Sequence, residues 1–168
     1  MPAVIVRNAR GAPSLDARAL KRRAERMLKE LGEERSELSV VLTDDTEIEA
    51  LNRTHRRKAK PTDVLAFPMD EGGGSPSGQI RLLGDVVISL DTAARQARER
   101  RRELMAEVTH LLAHGVLHLV GYDHRTDAEE RAMNAVARRL VDRANERVAR
   151  RGNAVQSRAR SRLTSRAR

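Results

Sequence analysis

Apolar positions along this chain recur in two rhythms. Ala3–Asn8 (AVIVRN), Leu38–Thr43 (LSVVLT), Val64–Phe67 (VLAF) and Leu82–Leu90 (LLGDVVISL) are short aliphatic runs bounded by turn-forming residues. They predict four strands. The unbroken run at 38–43 places its strand inside the sheet, where both faces are covered. Between the strands the period becomes that of a helix. After Ser14 one face carries Leu15, Leu20, Ala24, Met27, Leu28 and Leu31, and Gly32 closes it. Asp44 or Asp45 caps a short helix with Ile48, Leu51 and Asn52. Asp91 caps a pattern that runs to about Val120, with a break near the arginine cluster Arg98–Arg102 and a core face at Leu104, Val108, Leu111 and Leu112. Thr126 opens the last helix, with Glu129 completing a capping box. Met133, Val136, Ala137, Leu140, Val141 and Ala144 form its apolar face; it runs to about Arg150, and Gly152 marks the end of order.

The order strand, helix, strand, helix, strand, strand, helix, helix predicts a single α+β domain. Its small mixed β-sheet of about four strands is packed with helices. The remaining segments read as connections: basic residues 53–60 (RTHRRKAK), a turn at Pro61-Thr62-Asp63, Pro68 ending the third strand, and a loop at 70–79 (DEGGGSPSGQ).

Composition changes the picture at the C-terminus. The net charge is +9, yet residues 147–168 carry eight arginines and no acid, so +9 less 8 leaves +1 on the first 146. The expected division is a globular domain at 1–146 and a basic, disordered tail at 147–168 whose usual partner is a polyanion such as nucleic acid. Cysteine is absent, which excludes disulfides and thiolate metal sites. No window holds the roughly 18 consecutive apolar residues of a membrane helix. No membrane partner is expected, and the expected compartment is cytoplasmic.

The candidate chemistry lies at 110–124 (HLLAHGVLHLVGYDH), which holds four of the five histidines. Residues four apart on a helix share a face, so His114 and His118 can present two nitrogens to one ion. Gly121 can end the helix in a left-handed turn and return His124 to the same place. His110 and His118 are about 12 Å apart along a helix and cannot share a metal. Of the two helical pairs, only His114/His118 has a turn and a third histidine nearby, so His110 is set aside as a packed residue or one that supports a ligand. Three imidazoles leave one position of a tetrahedral Zn²⁺ open. The spacing matches the H-E-x-x-H-x-x-G-x-x-H signature of metzincin peptidases at every ligand and at the glycine, giving a zincin-like metal helix.

Gly115, however, stands where those peptidases keep their glutamate base. Without a carboxylate to pass a proton to the leaving amine, peptide cleavage is disfavoured. A phosphodiester needs neutralisation of phosphoryl charge, which a metal and an arginine can supply. With no obvious general base, a purely structural metal is the alternative.

HGVLHLVGYDH at 114–124 resembles the HGxLHLxGYDH signature of the YbeY family of bacterial endoribonucleases, also described as rRNA maturation factors. LNRTHR at 51–56, PTDVLAFP at 61–68 and LGDVVIS at 83–89 extend the resemblance in the same order, over roughly residues 1–145. His55 and Ala66 depart from the family, which there has an aromatic residue and a serine. The resemblance implies one Zn²⁺ on His114, His118 and His124 and a functional arginine at Arg56. In the basic stretch alone nothing distinguishes Arg56 from Arg53 or Arg57. It also implies a metal-dependent endoribonuclease domain at 1–146 that acts on single-stranded RNA. The implied partners are ribosomal RNA at the small-subunit 3′ end and, beside it, ribosomal proteins or the small subunit. Asp85 and Asp123 are candidates to orient a ligating imidazole.

Overall fold

The computed structural model describes residues 1–8, 14–56, 62–69 and 78–164, with side chains omitted at 55–56 and beyond Glu146. The elements are β1 (Ala3–Asn8), α1 (Ala17–Glu30), β2 (Ser36–Thr43), α2 (Asp45–Arg56), β3 (Val64–Pro68), β4 (Arg81–Ser89), α3 (Leu90–Glu99), α4 (Leu104–Leu119) and α5 (Asp127–Thr164). The sheet order is β1-β2-β4-β3. β1 and β4 flank β2 in parallel, and β3 closes the edge antiparallel to β4. The expected α+β domain with a four-stranded mixed sheet is therefore what forms, with β2 inside it.

Alternation along β2 decides the layers. Leu38, Val40 and Leu42 are fully buried in the main core with Leu20, Met27 and Leu28 of α1, Val116 of α4 and Leu140 of α5. Val41 points the other way, against a small cluster of Ile48, Leu65 and Val87 under α2. In β4 the alternation breaks at a bulge: Glu37 pairs with Leu82 but Leu38 pairs with Gly84. The extra residue lets Leu83 and Val86, three apart, enter the same core. Only glycine fits beside it. Gly84 has φ +127°, and a β-carbon there would meet the Phe67 carbonyl oxygen.

The helix boundaries show where the sequence pattern was overruled. α1 begins at Ala17, later than the pattern after Ser14 suggests, and Asp16 caps it by accepting from the Ala19 N–H at 3.1 Å. Ser89 caps α3 in place of Asp91, whose carboxylate instead accepts from the Asp45 N–H at 3.1 Å. The break at the arginine cluster is real: α3 ends at Glu99, Arg101 adopts φ +53°, and α4 begins at Leu104. The capping box also forms, with Glu129 N–H to Thr126 Oγ1 at 3.1 Å and Thr126 N–H to Glu129 Oε2 at 3.2 Å. α2 continues to Arg56, so the first part of the basic stretch is helical; 57–60 lie outside the described residues, as does 70–77 of the expected loop. The backbone of α5 passes through Gly152 to Thr164. An interior glycine costs only about 1 kcal/mol, and the flanking alanines and arginines favour helix.

Candidate metal centre

α4 is apolar almost all round and is the central helix of the main core. From Glu107 to Leu119 every residue is buried except His110, His114 and His118. Over that stretch the three histidines are thus the one seam by which the helix reaches the surface. Two of them open into a cleft of about 410 Å³ whose walls come from β3, α4, α5 and the segment before α5. His114, His118 and His124 all line it.

His124 arrives there by local geometry. Gly121 at φ +105° ends α4, with Tyr122 N–H to Leu117 O at 3.0 Å and Gly121 N–H to His118 O at 3.2 Å. These are the two bonds of a Schellman turn. The chain reverses and sets the His124 ring edge-on to His118, centroids 5.2 Å apart at 68°. Two imidazoles on one tetrahedral ion, with metal–nitrogen bonds of about 2.1 Å, hold their centroids about 5 Å apart. The donor type and this spacing both fit a divalent ion. Among the described residues no three His, Cys, Asp or Glu side chains are drawn tightly enough together to form a closed ligand cluster. His124 is exposed on its turn.

Electrostatics favour the ligating form of His114. Burial pushes its imidazole below the ordinary histidine value, the Asp63 charge opposes this, and His124 adds to the lowering. A neutral imidazole is the metal-binding form. His110 is also lowered, by burial first and then by Arg102, with Glu107 opposing. The charges of Arg102 and Arg100 act on it, and it lies outside the lining of the cleft. Arg56 is the last residue of α2; its side chain lies outside the described residues.

The two aspartates expected to orient an imidazole are elsewhere. Asp85 sits on β4 opposite Ser39 and Phe67. Asp123 accepts from the His124 N–H at 2.8 Å and pairs with Arg125 at 2.7 Å, a turn role. The carboxylates that do line the cleft are Asp63 and Glu130. Sequence reading treated Asp63 as a turn residue and passed over Glu130. The capping box located Glu130 in the first turn of α5 but carried no signal that this turn lies against α4. Ala66, where the resemblance leads one to expect serine, also faces the cleft.

Gly115 lines the cleft from beneath. A β-carbon there would stand 2.6 Å from Val86 Cγ1 and 3.3 Å from Val64 Cγ2. The glycine lets α4 lie close on β3 and β4; it makes room for the sheet.

The model of the family described as Endoribonuclease YbeY matches residues 6–145. Relatives bearing that name include a protein of Aquifex aeolicus, 55% identical over 107 residues (64% of this chain, 69% of the relative). One from Pelotomaculum thermopropionicum is 43% identical over 147 residues (84% and 97%). One from Anaeromyxobacter dehalogenans is 54% identical over 117 residues (70% and 58%), so the matched stretch spans under two thirds of that longer relative. The solution structure of a Thermotoga maritima protein shares the fold at TM-score 0.61 and 23% identity, covering 90% of this chain and 93% of that one. With 140 consecutive positions, 6 to 145, matched to the family model, the chain belongs to the YbeY family.

Proposed function

We propose that this protein is a single-strand-selective, metal-dependent endoribonuclease of ribosomal RNA processing, acting in maturation of the small-subunit rRNA 3′ end and in ribosome quality control. The observation that carries the reading is the cleft: His114, His118 and His124 converge on it from an otherwise buried helix and its terminal turn. The relatives' name, endoribonuclease, supplies the substrate class.

In this reading one Zn²⁺ is held by His114, His118 and His124 and supplies Lewis-acid neutralisation of charge at the scissile phosphate. The protein's part is positional. α4 fixes two imidazoles one turn apart, and the turn at Gly121 delivers the third. Arg56 is the proposed phosphate clamp, because a planar guanidinium holds two phosphoryl oxygens at once. Glu130 and Asp63 supply acceptors at the cleft wall, and the arginines of 147–168 add non-specific attraction for RNA.

Cleavage of a precursor rRNA, combined with elemental analysis of the purified protein, tests this. The expected result is bound zinc and cleavage lost in both His114→Ala and Arg56→Ala. Equal cleavage by wild type and both variants assigns the activity to a contaminant. A second reading, a non-catalytic ribosome assembly factor with a structural metal, is motivated by the absence of an obvious general base, with glycine at 115. It requires that chelation lower thermal stability while metal-restored protein cleaves nothing.

A further inference from the structure

The sequence suggests a disordered tail after residue 146, yet the backbone of α5 stays helical to Thr164. That changes what the arginines there can do, because a helix sorts them by face. Met133, Ala137, Leu140 and Ala144 are buried in the main core. Their spacing of 4, 3 and 4 residues marks one face of α5. Continued at the same three- and four-residue steps, that face passes through Arg147, Arg151, Val155, Arg158 and Arg162. The stripe that is apolar where it meets the domain therefore becomes a row of four arginines, about 22 Å from first to last at about 1.5 Å per residue. The other four arginines of the segment, Arg150, Arg160, Arg166 and Arg168, fall off this face or beyond the end of α5.

We propose that α5 beyond residue 146 is an RNA-binding arm, with Arg147, Arg151, Arg158 and Arg162 forming one row that takes the phosphates of a single strand. The inference rests on RNA being the substrate. No acidic residue follows Glu146, so nothing in the segment itself neutralises the row. Arginines three and four apart on a helix repel one another. Phosphates remove that repulsion, and each can be held by two guanidinium donors. A second copy of the same helix would add like charge. A helix that lies on a lipid surface carries Trp, Phe or Leu on its apolar face. Residues 147–164 hold no aromatic residue and a single leucine, Leu163.

The test compares two full-length variants of equal net charge. One carries Arg147→Gln, Arg151→Gln, Arg158→Gln and Arg162→Gln; the other carries Arg150→Gln, Arg160→Gln, Arg166→Gln and Arg168→Gln. Both sets lie outside the family-matched residues 6–145, so the domain is expected to fold in each, with equal Tm. Binding of a fluorescent single-stranded oligoribonucleotide is titrated across salt concentrations, in chelator so that no cleavage intervenes. Removing the row is expected to flatten the slope of log affinity against log salt by about 3, at about 0.7 per phosphate contact, and removing the other four by less than about 1. Equal flattening by the two sets overturns the arm, since the segment would then act as an unstructured polycation. A row variant that keeps the wild-type slope also overturns it, including one that instead loses binding to vesicles of anionic lipid. Wild type that binds no oligoribonucleotide overturns the RNA reading and the arm with it. A protein that shows the split between the two sets yet cleaves no RNA when metal is restored keeps the arm and loses the endoribonuclease reading.

Discussion

Gly115 and Val86 are in contact across the α4–sheet interface so closely that any side chain at 115 would press on Val86. An added β-carbon would stand 2.6 Å from one methyl of Val86 and 3.1 Å from the other. A carboxylate at position 115 would be driven into β4, so the proton-shuttling glutamate of a peptidase has no place in this packing.

Gly115→Ala is therefore expected to destabilise the protein. Overpacking costs about 1–3 kcal/mol, against which the better helix propensity of alanine returns about 1 kcal/mol. Val86→Ala in the same chain opens the space, so the double variant should be less destabilised than the two single losses added. Denaturant melts of the four proteins measure this; additive losses would show that the two side chains do not compete.

Asp45 ties the starts of two helices together. Its carboxylate accepts from Ser89 Oγ at 2.6 Å, Thr92 Oγ1 at 2.6 Å and Arg95 at 2.8 Å. Burial alone would raise its pKa, but these bonds and the Arg95 charge outweigh it and hold it below the usual carboxylate value. A folded value below the unfolded one means the unfolded chain binds more protons as the pH falls. The stabilisation is complete above the unfolded value of about 3.9 and is lost as pH falls through the folded value. Asp45→Asn should be less stable than wild type at pH 7, with the gap closing in acid. A gap that stays constant down to pH 2 would remove Asp45 from the acid transition.

Glu107 is fully buried on α4 and pairs with Arg100 and with Arg102, the latter at 3.5 Å. The arginines are substantially exposed and can return to water; the carboxylate cannot. The double change Arg100→Met, Arg102→Met strands a buried charge and is expected to cost about 3–5 kcal/mol, while Glu107→Leu should cost much less. Chemical denaturation ranks the two, and the reverse order would mean that the arginines hold the α3–α4 corner by packing alone.

Metal removal should act through three histidines and not the fourth. With a divalent ion at about 100 times its Kd, the folded state gains about 2.7 kcal/mol. Chelator should lower the Tm of wild type and of His110→Ala, and leave His118→Ala and His124→Ala unmoved. A chelator-sensitive His118→Ala protein would place the ion elsewhere.

Truncation at residue 146 removes eight arginines. If they meet RNA, the slope of log affinity against log salt should flatten by up to about 6 for a single strand. An identical slope takes the C-terminal segment out of the interface.

The sequence by itself determined those features whose cause is local. Histidines four apart with a glycine three residues beyond specify two imidazoles on one helix face and the left-handed turn that returns a third, because helix pitch and the β-carbon penalty act within a few residues. The same locality made the Thr126–Glu129 capping box and the break before Leu104 legible, along with an order of strands and helices rich enough to name the fold class. Where the sequence pattern failed, the deciding partner was distant in the chain. The bulge at Gly84 hid the phase of β4, since its reason is the carbonyl of Phe67 on the neighbouring strand. Asp91 lost its cap role to Ser89 because Asp45, from another helix, had claim on its carboxylate. Asp63 could not be told from any turn aspartate until β3 was laid beside α4. The exposure of His114 and His118 was settled in the same way: nearly every other side chain of α4 is covered by the sheet, α1, α3 or α5, and packing alone leaves the histidine seam open.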